Sequence, residues 1–257
     1  MKKLRKLLLI LISFVFFIID LKSAIIVTSV GFYNNPVGIP SEYLFFSWYV
    51  NKPIHDYSQI AYQIIISDNY DLISKNIGNI YDSKKIYSSN SIIIPIKSEL
   101  FLTAKKYFWK VKIWDNKNNI YWSDISSFVL PINLNEWKDA KWIAYEILDD
   151  SLKVYPGIHG SGKNLGSKAL KRSIIPYFRK EFIIERKVKE AYLFITGLGH
   201  YEAYINGKKV GSYLLTPSWT NYKHRVYFNT YEVTDYLDNK NCIGIIVGNG
   251  FYYINRE

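Results

Sequence analysis

The segment Gly197-Leu-Gly-His-Tyr-Glu-Ala-Tyr-Ile-Asn-Gly-Lys-Lys-Val-Gly211 predicts a β-hairpin. Two short runs that favour strands, His200–Ile205 and Lys209–Leu215, lie on either side of Asn206-Gly207. An Asn-Gly pair is the strongest local hairpin signal, because a two-residue type I′ turn requires a positive φ at both central positions. The segment therefore indicates antiparallel β-structure.

Short apolar or alternating runs separated by turn residues also occupy the rest of the chain, a spacing typical of β-sandwiches. From Tyr107 to Ile113 every second residue is apolar or aromatic, which predicts a strand with Trp109 on its core face. Trp48 is expected to pack into the same core. The further predicted strands are Ile25–Phe32, Tyr43–Val50, Ile60–Ser67, Ser91–Pro95, Lys105–Trp114, Tyr121–Val129, Tyr177–Ile184, Lys189–Thr196, Arg225–Asn229 and Cys242–Val247.

Length and composition fit two β domains. The chain has 257 residues, of which 17% are aromatic and 49% hydrophobic, which favours packed strands over disorder. The mostly polar run Asn133-Leu-Asn-Glu136 interrupts the strand rhythm before Trp137. We therefore predict an all-β chain with two tandem sandwiches, at residues 25–132 and 136–257.

The first 24 residues are typical of a signal peptide. Lys2, Lys3, Arg5 and Lys6 precede the apolar run from Leu7 to Ile19. Those residues would span about 20 Å as a helix, less than the roughly 30 Å of a membrane core. We expect cleavage near Ser23 or Ala24 and export to the periplasm or the cell exterior; an uncleaved membrane anchor is the alternative.

The net charge of +11 allows either a basic binding surface or ordinary solvated charge. The main basic cluster, Lys163 to Arg172, lies in a Gly/Ser-rich segment where solvated charge is the usual state. No nucleic-acid-binding motif accompanies it. We expect no nucleic-acid partner, and membrane contact only through an uncleaved leader.

The sequence contains no complete catalytic motif of the common types. Gly157-Ile-His-Gly-Ser-Gly-Lys163 has the spacing of a phosphate-binding loop, but Asn164 stands where Ser or Thr would hold Mg²⁺. The four histidines lack zinc-ligand spacing. Cys242, the only cysteine, lies in an apolar run and is expected to be buried and inert. The carboxylates available to the second domain stand in no catalytic motif: Glu185, Glu202, Glu232 and Asp235.

The order of three motifs carries the most information. Gly197–Gly211 is followed by Leu215-Thr-Pro-Ser-Trp-Thr-Asn-Tyr222 and then by Gly248-Asn-Gly-Phe-Tyr-Tyr253. This order resembles the amino-terminal domain of bacterial α-L-rhamnosidases. Upstream, Asn35-Pro-Val-Gly-Ile39 and Tyr107-Phe-Trp-Lys-Val111 resemble the fibronectin-like module that precedes it in the same enzymes. The resemblance implies a fibronectin III-like sandwich followed by a jelly-roll-like one.

The resemblance also implies a limit on activity, because the acid and base of this family lie on an α-helical barrel that follows these domains. We expect this chain to be the non-catalytic amino-terminal portion of a secreted α-L-rhamnosidase, a fragment that is inactive alone. The full-length family releases terminal α-L-rhamnose from glycans. A separately encoded barrel is a possible partner. The alternatives are a free-standing protein that binds rhamnose-containing glycans and a surface adhesion module.

Some members of the family carry a calcium-dependent rhamnose-binding sandwich, which gives four candidate carbohydrate-binding residues: Asn206, Trp219, Tyr222 and Asn249. Of these, Asn206 and Asn249 are also weak calcium candidates. Calcium-binding members have an acidic residue before the equivalent asparagine, whereas this chain has Ile205. We expect no other cofactor. Turn and loop-anchoring roles are the structural alternative for the same residues.

Overall fold

The computed structural model describes residues 25–51, 56–137, 139–145, 175–248 and 250. These residues form mainly antiparallel β-sheet, with one short α-helix, so the predicted all-β class is confirmed. The described residues divide into two compact units, the first within residues 25–35, 42–100 and 107–127 and the second within residues 36–41, 101–106 and 128–250. The predicted leader and the Gly/Ser-rich segment lie outside the described residues.

The amino-terminal part contains two antiparallel sheets, ordered β1-β2-β5 and β4-β3-β6-β7, with β8 also paired to β6. Helix α1 is Tyr70–Ser74, and Asn69 caps it by accepting from the amides of Asp71 and Leu72. Short 3₁₀ turns occur at Ser41–Tyr43 and Ser98–Leu100. The strands are β1 (Ile25–Val30), β2 (Phe45–Asn51), β3 (Gln59–Ser67), β4 (Tyr81–Asp82), β5 (Ile94–Pro95), β6 (Lys106–Asp115), β7 (Ile120–Trp122) and β8 (Ser126–Val129).

Aromatic side chains join the two sheets of the first unit. Strand β6 alternates half-buried and buried residues along its whole length, and Trp109 is fully buried. The ring of Phe46 in β2 meets that of Trp109 edge-on, with centroids 4.7 Å apart. Trp48 is also buried, and its ring centroid lies 5.0 Å from that of Tyr62 in β3. The predicted core positions of both tryptophans are confirmed.

Asp115 organises the turn between β6 and β7. Its Oδ1 accepts from the amides of Lys117 at 2.9 Å and Asn119 at 2.8 Å. Its Oδ2 accepts from Asn119 Nδ2 at 2.8 Å and from the Tyr121 hydroxyl at 3.2 Å. Burial raises the pKa of Asp115, but the hydrogen bonds from Asn119, Lys117 and Tyr121 outweigh it and hold the pKa below its usual value.

Replacing Asp115 with Asn should lower the free energy of unfolding by about 1–3 kcal/mol at neutral pH, because charge-assisted hydrogen bonds are lost. A depressed pKa means that this contribution is present above the unfolded value, near 3.9, and is lost as the pH falls through the folded pKa. Urea unfolding at several pH values should show the two proteins converging in acid. A difference that stayed constant down to pH 2 would contradict this assignment.

The second unit contains a four-stranded sheet, ordered β12-β11-β14-β9, and a two-stranded sheet of β10 and β13. Short 3₁₀ turns occur at Leu134–Trp137 and Thr234–Tyr236. The strands are β9 (Tyr177–Ile183), β10 (Tyr192–Ile195), β11 (Tyr201–Ile205), β12 (Lys208–Lys209), β13 (Asn229–Glu232) and β14 (Lys240–Val247). The core between the sheets is formed by Ile195, Tyr201, Ala203, Ile205, Val210 and Val233.

The predicted hairpin is confirmed. Ile205 pairs with Lys208, and the two residues between them, Asn206 and Gly207, have φ values of 52° and 79°. Both values are positive, as a type I′ turn requires. The hairpin therefore links β11 to β12.

Three other predictions for this unit were wrong. Only Lys209 of the predicted strand Lys209–Leu215 lies in a strand, β12, and the strand predicted at Arg225–Asn229 lies instead at Asn229–Glu232. Cys242 is half-buried rather than buried, because it lies opposite Glu181, on the sheet face turned away from the core. Among the described residues, no helix has the length and apolar character needed to cross a membrane.

Candidate functional site

The motif segments of the second unit meet where β11 begins. The amide of Tyr201 donates to the Thr216 carbonyl at 2.7 Å, and the Thr216 hydroxyl donates to the Tyr201 carbonyl at 3.3 Å. The amide of Gly248, just after β14, donates to the His200 carbonyl at 2.7 Å. Strand pairing thus gathers the Gly-x-Gly, Thr-Pro and Gly-Asn-Gly motifs at one end of the sheet.

Gly250 makes the closest backbone approach in this cluster. A Cβ atom at this position would lie 3.0 Å from the His200 nitrogen and 3.1 Å from Cα of Gly199. Its φ of +53° is also one that L side chains rarely adopt. Glycine is therefore required here for both steric and conformational reasons. Asn249, one of the predicted binding residues, lies outside the described residues.

The segment between β12 and β13, residues 211–228, is called here the aromatic loop. Five of its large side chains are between 47% and 78% exposed. The buried pair Thr216 and Pro217 anchors the middle of the loop against β11. The exposed side chains are Tyr213, Leu214, Leu215, Trp219 and Tyr227.

Hydrogen bonds at two further points fix the carboxyl-terminal half of the aromatic loop. The Thr196 hydroxyl donates to the Tyr227 carbonyl at 2.6 Å. The Thr220 hydroxyl donates to the Arg225 carbonyl, which closes the turn that contains Tyr222. The loop thus has defined contacts on each side of its exposed aromatic rings.

The two predicted aromatic binding residues lie in this loop in different surroundings. Trp219 is 53% exposed. Tyr222 is only partly exposed, and burial raises the pKa of its hydroxyl. Trp219 can therefore present a ring face to a ligand, whereas Tyr222 has less surface to offer.

The side chain of Asn206, the third predicted residue, faces the protein interior. Its Nδ2 donates to the Tyr236 carbonyl and to Asn241 Oδ1, both at 2.9 Å. Its Oδ1 accepts from the amide of Cys242 at 2.8 Å. Both amide hydrogens and one oxygen lone pair are thus engaged, so the group holds the hairpin turn to the start of β14.

Asn241, which the sequence interpretation missed, completes this polar network. It is 4% exposed. Its Oδ1 also accepts from the amide of Asp238 at 2.8 Å, and its Nδ2 donates to the Asp238 carbonyl at 2.6 Å. The only sequence signal is an asparagine three residues after Asp238, a spacing common to many turns.

Of the four carboxylates considered in the sequence, Glu202 and Glu232 are each held by a lysine, Lys209 and Lys106 respectively. Glu202 accepts from Lys209 Nζ and, at 2.6 Å, from the Tyr204 hydroxyl. The Lys209 and Tyr204 hydrogen bonds lower the pKa of Glu202 and keep it ionised. Glu185 and Asp235 are exposed. Within the part of the chain that the structure describes, no group of three or more His, Cys, Asp or Glu side chains is placed to hold a metal ion.

Comparison with known proteins identifies both units. Residues 27–131 match the family described as the Rha78A-like, N-terminal immunoglobulin domain, and residues 186–257 match the Alpha-L-rhamnosidase N-terminal domain. Immunoglobulin and fibronectin III domains share the β-sandwich architecture. The fold and these matches define the class as tandem β-sandwich domains of the kind found at the amino terminus of α-L-rhamnosidases.

The similar sequences and the similar solved structures are all α-L-rhamnosidases. The α-L-rhamnosidase of Formosa agariphila is 32% identical over 222 residues, which cover 85% of this chain and 23% of that enzyme. The structure of the α-L-rhamnosidase from Dictyoglumus thermophilum is 35% identical, with a TM-score of 0.70 over 87% of this chain and 25% of that one. The structure of the α-L-rhamnosidase from Aspergillus terreus is 24% identical, with a TM-score of 0.66 over 88% of this chain and 24% of that one. At this identity the likeness supports the fold alone.

The chain therefore corresponds to the amino-terminal domains of α-L-rhamnosidases, as the motif order predicted. It spans about a quarter of the length of these relatives.

Proposed function

We propose that this chain is a non-catalytic amino-terminal part of an exported α-L-rhamnosidase, where it contacts rhamnose-containing glycan and supports a catalytic barrel. The observation that carries the proposal is the aromatic loop, which exposes Trp219 and Tyr213 beside the family's converging motifs. Tryptophan and tyrosine combine an apolar ring with a polar edge, which suits them to the apolar face of a sugar.

Preorganisation of the loop supports this role. The bonds of Tyr201 with Thr216 hold its middle, and the bond of Thr196 with the Tyr227 carbonyl holds its carboxyl-terminal end. A loop that is already ordered loses less conformational entropy when it binds a ligand. Weak sugar contacts then suffice for measurable affinity.

Asn206 makes no contact with sugar in this proposal, since its amide is engaged by Tyr236, Asn241 and Cys242. Only one lone pair of its Oδ1 is left for a cation. Calcium prefers six to eight oxygen ligands, several of them carboxylates. Asn206 is therefore at most a weak calcium ligand, and glycan binding should depend little on calcium.

Hydrolysis in this proposal belongs to the barrel. Glycosidases use two carboxyl groups about 5–9.5 Å apart, one of them kept protonated by its surroundings. Glu202 does not suit the acid role because Lys209 and Tyr204 stabilise its ionised form. The purified chain should release no rhamnose from an aryl rhamnoside above a buffer blank, and clear turnover would contradict the proposal.

Replacing Trp219 with Ala should weaken binding of a rhamnose-containing oligosaccharide about tenfold. Stacking a sugar on the ring removes roughly 55 Å² of apolar surface from water, and at about 25 cal/mol/Å² this is about 1.4 kcal/mol. Because Trp219 is 53% exposed, the melting temperature should change little. Isothermal titration with and without calcium measures the effect.

Trp142→Ala is the matched control for this titration, since Trp142 is 65% exposed and lies outside the aromatic loop. It should bind the oligosaccharide as the unaltered chain does. Equal affinities for the Trp219 variant and the unaltered chain, or equal losses in both variants, would argue against a glycan site on the aromatic loop.

A further inference from the structure

The outer face of the four-stranded sheet, opposite the core, carries a second arrangement of aromatic and charged side chains. In β11 the core side chains are Tyr201, Ala203 and Ile205, so Glu202 and Tyr204 lie on the other face. Cross-strand pairing sets Tyr204 opposite Gly244 in β14, and Gly244 opposite Arg179 in β9. These three residues therefore share the outer face.

Gly244 leaves a gap at the centre of this face. A Cβ atom built on it would have no heavy atom within 4 Å. The glycine occupies β14, which lies between β11 and β9, so two strand spacings, about 9–10 Å, separate the backbones of Tyr204 and Arg179. Glycine within a strand weakens it and often marks a point where a ligand approaches the backbone closely. In this row of the sheet no side chain therefore lies between those of Tyr204 and Arg179.

The side chains around the gap are oriented by one another. Tyr204 donates its hydroxyl to Glu202 at 2.6 Å, and Lys209 donates to the other oxygen of the same carboxylate. On the opposite side, Arg179 is ion-paired with Glu181. Tyr177, which is 74% exposed, lies two residues before Arg179 in β9, on the same face and opposite Ile246. The outer face thus offers two tyrosine rings and two ion pairs.

The pairing of these charges favours a neutral ligand over an ionic one. An anion on Arg179 or Lys209 would compete with Glu181 or Glu202, and a cation on either carboxylate would displace its present partner. Sugar hydroxyls both donate and accept, so they can use the remaining N–H groups and oxygen lone pairs without breaking the ion pairs. Tyrosine rings supply apolar surface for the ring carbons.

We propose that the outer sheet face is a second carbohydrate-binding site, in which one neutral sugar ring lies over Gly244 between Tyr204 and Arg179. It takes its ligand class from the proposed function but uses none of the residues of the aromatic loop. Tyr204 packs against the ring, Arg179 and Glu202 bond its hydroxyls, and the absent side chain at position 244 makes room.

Gly244→Val tests this site while leaving the fold intact. The added side chain fills the gap, and valine favours strand conformation, so the melting temperature should stay equal or rise. The ¹⁵N-labelled full chain is titrated with L-rhamnose and with methyl α-L-rhamnoside at millimolar concentrations. The amide signals of Gly244, Tyr204 and Arg179 should shift and saturate together, and the Tyr204 and Arg179 shifts should vanish in the valine variant. Trp219→Ala should retain them.

The outcomes separate the two sites. Shifts confined to the aromatic loop would overturn this inference and leave the proposed function standing. Shifts at Gly244 without any in the loop would support the outer face and contradict the loop site. Unchanged Tyr204 and Arg179 shifts in a folded Gly244→Val protein, or an absence of shifts in the unaltered chain, would overturn the outer-face site. Should the valine variant fail to fold, Tyr204→Ala replaces it, with an expected loss of about tenfold in affinity.

Discussion

Replacing Trp109 with Ala is expected to lower the free energy of unfolding of the first unit by about 3–5 kcal/mol. The side chain is fully buried in β6, and its ring packs edge-on against Phe46 of the facing sheet at 4.7 Å. Truncation removes buried apolar surface and leaves a cavity that the two sheets cannot close. Because domains are stable by only about 5–15 kcal/mol, this loss is a large fraction of the total.

Urea unfolding followed by circular dichroism measures this change. Tyr87→Ala is the control, since that ring is 76% exposed and Lys85 Nζ lies 4.7 Å from its centroid. It should cost no more than about 1 kcal/mol, the range of an exposed cation–π contact. Equal unfolding midpoints for the Trp109 variant and the unaltered chain would show that Trp109 is not a core residue.

Replacing Asn206 with Ala is expected to lower the free energy of unfolding by about 2.5–6.5 kcal/mol, in the absence of any sugar or calcium. Three hydrogen bonds are lost, to Tyr236, Asn241 and Cys242. Each contributes about 0.5–1.5 kcal/mol. The φ of 52° adds a penalty of about 1–2 kcal/mol for alanine.

Asn206→Gly separates these two causes, because glycine adopts a positive φ without strain and lacks only the amide. The glycine variant should therefore lose less unfolding free energy than the alanine variant, by about the 1–2 kcal/mol that the positive φ costs alanine. Asn221→Ala, in the exposed turn of the aromatic loop, serves as the surface control. A stability unchanged by Asn206→Ala would contradict the structural role and return Asn206 to the candidate ligands.

Local sequence rules sufficed where local structure decides the outcome. The Asn-Gly pair specified its hairpin because both positive φ values lie within two residues. The alternation around Trp109 specified which face of β6 is buried, because side-chain direction in a strand has period two. Neither prediction required knowledge of a distant partner.

The predictions failed where distant contacts decide the outcome. The run after Lys209 reads as a strand, but Gly211 has a φ of +74° and a Cβ there would lie 2.4 Å from the ring of Tyr231. The chain turns at this point, and the buried Thr216 then pairs with Tyr201. No pattern within residues 209–215 specifies these partners.

The candidate site was predictable in part for the same reason. The exposed position of Trp219 fits a motif identified in the sequence. The interior use of Asn206 depends on partners 30 to 36 residues away. The outer sheet face depends on which residues of β9, β11 and β14 lie opposite each other, and strand register was not available from the sequence.

The network of Asn206 and Asn241 has a consequence for how the second unit opens. An Asn-Gly turn at the tip of a hairpin is usually the first part to fray. Here the turn side chain bonds the amide of Cys242 and, through Asn241, the turn at Asp238. The hairpin tip and the first residues of β14 must therefore separate in a single cooperative event. The Asn-Gly turn thus stabilises the contact between two strands in addition to reversing the chain.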